Sequence, residues 1–235
     1  MGEIANNSVL EHARSGTARA ALLGVSDGLV TNISLILGVA GAGASPQVVR
    51  LAGMASLLAG AFSMAVGEYI SMRGQVELLE GVLRVERQEL ERRPEAVHQA
   101  LAEILREDGL DAQTADHAAT AVMRDPDKAM AVYARGKLGI NPEELGSVWG
   151  AALSSLIMFA IGAIVPLSPW FALSGVTAIL ASLALSILAA LGIGAYLGYT
   201  TGGDKAKAAI RQLLLLVAAA GASYVIGSLL GVKAG

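Results

Sequence analysis

Between Arg50 and Arg73 the chain reads LAGMASLLAGAFSMAVGEYISM, largely apolar and uncharged except for a single carboxylate, Glu68. These residues, Leu51 to Met72, are long enough as a helix to cross the hydrocarbon core of a bilayer, which takes about 20 residues. A second such stretch, Ala21 to Ala44, is interrupted only by Ser26, Asp27, Thr31, Asn32 and Ser34, and predicts an earlier crossing. From Leu145 to Gly203 there are 59 residues without a charge, too many for one span and suited to two. The expected turn is Pro166-Leu167-Ser168-Pro169, with Trp170 and Trp149 as interfacial anchors at either end of the third span. A fifth span is expected from Leu213 to about Val232, after Asp204, Lys205, Lys207 and Arg211.

The segment between spans two and three has a different pattern. Val76, Leu79, Leu83 and Leu90 recur at helical spacing among Glu and Arg, so the second span should run on as a polar helix until Pro94. A helix then follows from about Glu95 to Asp108, stopped by Gly109, and another from the N-cap Asp111 to about Arg124. Asp125 with Pro126 starts a further helix that Gly139 ends. Asn141-Pro142-Glu143-Glu144 carries a cap, a proline and a capping-box acid, and predicts the start of the helix that becomes span three.

Composition places this pattern in a class. With 54% hydrophobic residues and a mean hydropathy of +0.58, the chain is expected to be an all-α membrane protein. Of 37 charged residues, 25 lie between Arg73 and Glu144 and five after it. The expected organisation is an N-terminal cytosolic or interfacial helix over 1–20, spans one and two over 21–72, a cytosolic helical insert over 73–145, and spans three to five over 146–235. The absence of cysteine excludes disulfides and thiolate chemistry, and the net charge of −3 argues against a nucleic-acid partner. No signal-peptide pattern opens the chain. Arg14, Arg19, the basic residues flanking the insert, and Lys205, Lys207 and Arg211 fall on one side, which puts the N-terminus and insert in the cytosol and the C-terminus outside.

The chemistry is expected inside the membrane. A charged side chain at mid-bilayer costs roughly 2.5–3.5 kcal/mol on insertion scales, so Asp27 and Glu68 should face protein or a water-filled path. Measured from Arg19 and Arg73, the two acids are expected at similar depths, about 10 Å and about 7 Å inside. Met64 lies one turn before Glu68 and adds a thioether to the two carboxylates. Small or polar residues recur along both helices (Gly24, Asp27/Gly28, Thr31, Ser34, Gly38 and Gly41; Gly53, Ser56, Gly60, Ser63/Met64, Gly67 and Ser71), suiting close helix contact. Five spans hold no inverted repeat, so the stripes suggest a homodimer in the bilayer whose interface is an ion or proton path. An acid pair could also serve an intramembrane hydrolase, but nothing marks a peptide-binding groove, and no enzyme activity is expected.

The stretches LLGVSDGLVTNISLILGVAGA (22–42) and AGMASLLAGAFSMAVGEYISM (52–72), with Arg211-Gln212-Leu213, Gly221, Tyr224 and Gly227 in the last span, resemble the vacuolar iron transporter family. The resemblance implies dimers of five-span subunits that move Fe²⁺, and often Mn²⁺, out of the cytosol in exchange for protons, with metal as substrate and no resident cofactor. It implies Asp27 and Met64 as ligands in the path, with Glu68 as a ligand or proton carrier. Carboxylate oxygen suits both ions, a thioether favours them over Mg²⁺ and Ca²⁺, and protonation weakens a carboxylate's hold on metal.

In that family the insert looks like a metal-binding module built from Glu pairs and a Met with a Glu. Here Glu86 and Glu89 stand where the first pair belongs, whereas the second pair falls on Val97 and Ala100, and the Met and Glu positions hold Tyr133 and Lys137. Glu103, His98 and Met130 are read as a face charge, a surface histidine and a core residue. The insert is therefore expected to be structural or dimerising, with a metal site at Glu86 and Glu89 that is weak or absent. A competing reading of the chain is a scaffold or metal sensor that has kept the fold without transport. The expected location is a bacterial inner membrane.

Overall fold

The computed structural model describes residues 16–142 and 145–231. Within them the chain is helical, with no strand. The helices are α1 (Gly16–Gly41), α2 (Pro46–Arg92), α3 (Pro94–Glu107), α4 (Ala112–Val122), α5 (Pro126–Leu138), α6 (Val148–Leu167), α7 (Gly175–Thr200) and α8 (Lys205–Gly231), with a 3₁₀ turn at Ser168–Phe171. Five of them, α1, α2, α6 with its 3₁₀ extension, α7 and α8, are long and apolar enough to cross a membrane. The chain is an integral membrane protein of five spans. The expected surface helix lies outside the described residues up to Ser15, as do the capping acids Glu143 and Glu144.

The chain divides into two compact units, one of residues 1–70 with 147–235 and the other of residues 71–146. In the first, α1 is the central helix. Gly24 and Gly28 leave room for the backbone of α6, and a Cβ on Gly28 would overlap the carbonyl oxygen of Phe159. Toward its other end, α1 meets α8, where a Cβ on Gly227 would overlap the carbonyl of Gly38. Leu29, Ile33 and Leu37 of α1 fill the space between Ala190 of α7 and Leu216 and Ala220 of α8. The glycines of span one's stripe are thus covered within the chain, by α6 and α8, whereas Asp27 and Thr31 stay exposed. The reason is that glycine lets any helix approach closely, and the nearest available are those of the same chain.

Span two is attached more lightly. Leu167 fills the hollow at Gly53, and the Phe159 ring fills that at Gly60. Its opposite side is open, with Leu51, Leu58, Phe62, Val66 and Ile70 about half or more exposed. A row of small residues at four-residue steps, Ala55, Ala59, Ser63 and Gly67, lies uncovered along it.

Two local expectations are corrected. The helix of span three starts at Val148, not at Pro142: Gly146 takes a positive φ of 97° and the Ser147 hydroxyl accepts from the Gly150 N–H at 3.0 Å. A left-handed glycine breaks the helix, and the serine after it supplies a new N-cap. Trp170 is not an interfacial anchor. It is 2% exposed, and its Nε1 donates to Ser182 Oγ at 3.0 Å, which in turn donates to the Pro166 carbonyl at 2.7 Å. Pro166 supplies a backbone acceptor inside an apolar bundle, and this two-step hydrogen-bond chain satisfies it.

The second unit has its own core, in which Leu90, Val97, Leu101, Ala102, Ala119, Ala129 and Tyr133 meet. Its helices start where the sequence implies. Asp111 accepts from the N–H groups of Gln113 and Thr114, and Asp125 from those of Asp127 and Lys128. Gly139 ends α5 in the left-handed region at φ 65°. Hydrogen bonds at the backbone and side chain of Lys128 hold the Asp125 carboxyl below the ordinary Asp range. A depressed acid pKa stabilises the fold above the unfolded-state value, and that contribution is lost as pH falls through the folded-state value. Acidification should therefore lower the hydrogen-exchange protection factors, taken relative to the intrinsic rate at each pH, in the first turn of α5, and Asp125→Ala should lower them at neutral pH. Equal exchange in variant and wild type would remove the cap from the account.

Candidate functional site

Phe159 sets the register of the membrane site. Its backbone lies against Gly28 of α1 and its ring against Gly60 of α2, so these two glycines stand at nearly one level. Asp27 is therefore level with Gly60 and Ala61. Tyr69 stacks on Trp149 with ring centroids 4.9 Å apart, which confirms that α2 descends as α6 rises. Met64 lies one turn, and Glu68 two turns, from Gly60 toward the end of the bundle that carries Arg19. The two acids are not at one depth, as their distances from the flanking arginines imply. They are staggered by roughly 10 Å along the helix axes, with Met64 between their levels. Flanking arginines are a poor ruler because their long side chains reach back along the helix.

The three side chains sit in different surroundings. Asp27 is exposed on the surface of the single chain, where its carboxylate accepts a hydrogen bond from Thr31 Oγ1 at 3.3 Å. Met64 is half-buried and packs on the cluster of Leu57, Ala61, Phe159 and Ala163. Glu68 is buried at 8% exposure, and its Oε1 accepts from the Arg19 guanidinium at 3.1 Å. Among the described residues no three His, Asp or Glu side chains converge closely enough to hold one metal ion. One chain by itself thus presents these donors at separate levels instead of as a closed cage.

Arg19, the ion-pair partner of Glu68, is the site residue that pattern reading missed. Its position eight residues before Asp27, at the same end as Glu68, was the available signal, but only helix pairing reveals which acid it meets. The same end carries Lys205, Lys207 and Arg211, because α8 runs parallel to α1, with Gly38 on Gly227 and Ala42 on Gly231.

In the second unit, Glu86 and Glu89 are half-buried on α2, and Glu89 lies 3.8 Å from Arg93. Of the positions that depart from the expected metal module, two have become core, Ala100 is half-buried against it and Lys137 is exposed. Val97 and Tyr133 are buried, and the Lys137 ammonium donates to the Tyr133 hydroxyl. That hydrogen bond, aided by the Glu86 charge, holds the Lys137 ammonium above the ordinary Lys range. A cation thus stands beside Glu86 where a divalent ion would need a further ligand. In the full-length protein, Lys137→Ala should raise divalent-metal retention by the insert, read by equilibrium dialysis against Glu86→Gln. No change would mean that Lys137 does not oppose metal there.

A bundle of five spans among the described residues, with one acid open on its surface and another buried at one end, defines a polytopic membrane protein. The model of the VIT family matches residues 18–228, and the chain belongs to that family. It is 30% identical over 204 residues to vacuolar iron transporter 1 of Eucalyptus grandis, covering 86% of this chain and 82% of that one. It is 33% identical over 193 residues to the vacuolar iron transporter of Acanthamoeba castellanii, covering 78% and 68%. A vacuolar iron transporter homolog of Oryza sativa subsp. japonica is 31% identical over 208 residues, covering 86% and 84%.

Proposed function

We propose that this protein is a transporter, not an enzyme, that carries Fe²⁺, and Mn²⁺ with it, out of the cytosol in exchange for protons. Iron comes from the names of its relatives. Manganese comes from the donor chemistry, since two carboxylates and a thioether suit both ions. The single observation that carries the reading is the exposure of Asp27 at membrane depth on a helix with no other charge after Arg19. A carboxylate there is too costly to face lipid, so it faces a path.

The path is completed by a second copy of the chain. An exposed Asp27 needs cover, and the open row Ala55, Ala59, Ser63 and Gly67 on α2 has the small side chains that let membrane helices pair. Metal enters at the end bearing Arg19, passes Glu68 and Met64, and reaches Asp27. Protons arriving from the far side compete for the same carboxylates and release it. The basic end is cytosolic by the distribution of Lys and Arg. Relatives are named for a vacuole; for this chain we keep to a bacterial inner membrane, from which the same direction leads out of the cell.

The chain contains no cysteine, so a single introduced one reports cleanly on pairing. Ser63→Cys should cross-link two chains under mild oxidation in membranes, whereas Leu188→Cys, exposed on α7, should not. Monomer in both would contradict the dimer. The function itself is tested in liposomes loaded with a metal-sensitive dye. Fe²⁺ and Mn²⁺ should enter under a pH gradient, acid inside. No uptake of either by correctly folded protein would leave the scaffold or sensor reading in its place.

A further inference from the structure

The Arg19–Glu68 ion pair has a consequence for which ions can use the path. Glu68 is buried and its carboxylate is already engaged by a guanidinium 3.1 Å away, while the Arg19 side chain is 59% exposed. A cation reaching Glu68 from that end must take the place of a cation already there. A monovalent ion gains no charge over the guanidinium it displaces and loses the directed hydrogen bond. A divalent ion doubles the attraction to the carboxylate at the same separation. Arg19 is free to swing away from Glu68 because most of its side chain is left uncovered by its own chain, whereas Glu68 is fixed by its burial.

We infer that Arg19 is a resident counter-cation that filters by charge: it occupies Glu68 in the resting protein, excludes Na⁺ and K⁺, and yields to a divalent metal. The inference rests on the proposed metal path and assigns its selectivity against monovalent ions to a residue that is not itself a metal ligand. It also implies that affinity at the mouth is deliberately weakened, so that an ion that enters is not trapped there.

The test is equilibrium binding of Mn²⁺ to the full-length purified protein, read from the electron paramagnetic resonance signal of the free ion, with and without Na⁺. The variants are Arg19→Gln, Arg19→Met as a second neutral replacement, Arg19→Lys, Glu68→Gln, and Arg19→Gln with Glu68→Gln. Removing the guanidinium should tighten the Glu68-dependent binding about five- to tenfold, and Na⁺ should then compete. Arg19→Lys, which keeps a cation, should stay near wild type and still exclude Na⁺, an outcome that a purely packing role for Arg19 would not give. In the Glu68→Gln background, Arg19→Gln should change nothing. The filter is overturned if either neutral replacement leaves Glu68-dependent binding unchanged or weakens it, or if tightening persists without the Glu68 carboxylate. Binding in wild type that Glu68→Gln does not alter removes Glu68 from the path, and the filter falls with it. Glu68-dependent binding that is indifferent to Arg19 overturns the filter alone.

Discussion

Asp27→Asn should reduce metal flux through the protein by about a hundredfold or more, with helical content and elution in detergent unchanged. The substitution keeps the size and one acceptor oxygen of the side chain but removes the charge. Thr31 can still donate to that oxygen, so the local fold of α1 does not depend on the carboxylate. The side chain lies on the surface of the single chain and supports no core packing. A structural acid in this position would instead show its loss as instability, because a buried partner would be left uncompensated. Flux measured by dye quenching and thermal unfolding measured on the same preparation separate the two. Normal flux with Asn at position 27 would remove this residue from the path and with it the main support for a path at the exposed face.

An effect of similar size, on folding instead of flux, is expected at the glycines where α1 touches its neighbours. A Cβ on Gly28 meets the Phe159 carbonyl, and one on Gly227 meets the Gly38 carbonyl; in both cases the obstacle is helix backbone. A side chain can rotate away from an added methyl, whereas a backbone oxygen moves only with its helix. Overpacking typically costs about 1–3 kcal/mol, and these sites belong at or above the top of that range. Gly28→Val and Gly227→Val should therefore lower the unfolding temperature sharply or prevent recovery of folded protein. Gly192→Ala on α7, with nothing within 4 Å of the added atom, should be neutral or slightly stabilising, since alanine favours helix. Equal stability of Gly28→Val and Gly192→Ala would contradict the close contact between α1 and α6.

The features that sequence conveys well are those written in neighbouring residues. Asp125-Pro126 and Gly139 bound α5 because a cap, a fixed φ and a left-handed stop act within one turn. The five spans were legible for a similar reason: length and apolarity are properties of a segment by itself. The family was legible through SDG in span one and SMAVGEY in span two, which the match over residues 18–228 supports. Register between helices was not. Nothing local to Phe159 says that it will separate Gly28 from Gly60, so the stagger of Asp27 and Glu68 and the pairing of Glu68 with Arg19 emerge only once three helices are assembled. Trp170 shows the same limit. A tryptophan after a turn at a span's end suits an interface, but Ser182, twelve residues on, turns its ring inward. The glycine stripe of span one signalled close packing correctly while leaving the partner helix open, and the partner is in the same chain.

Under the proposed exchange, a divalent metal crosses the membrane through this protein as protons move the other way. Both ions can be followed at once in proteoliposomes, with a metal-sensitive dye and a pH-sensitive dye enclosed together. Addition of Fe²⁺ or Mn²⁺ outside acid-loaded vesicles should produce metal entry and alkalinisation of the interior with the same time course, each abolished when the pH gradient is collapsed. Metal entry without proton movement would replace exchange by simple passage. Neither signal, from protein that is folded and inserted, would contradict transport altogether.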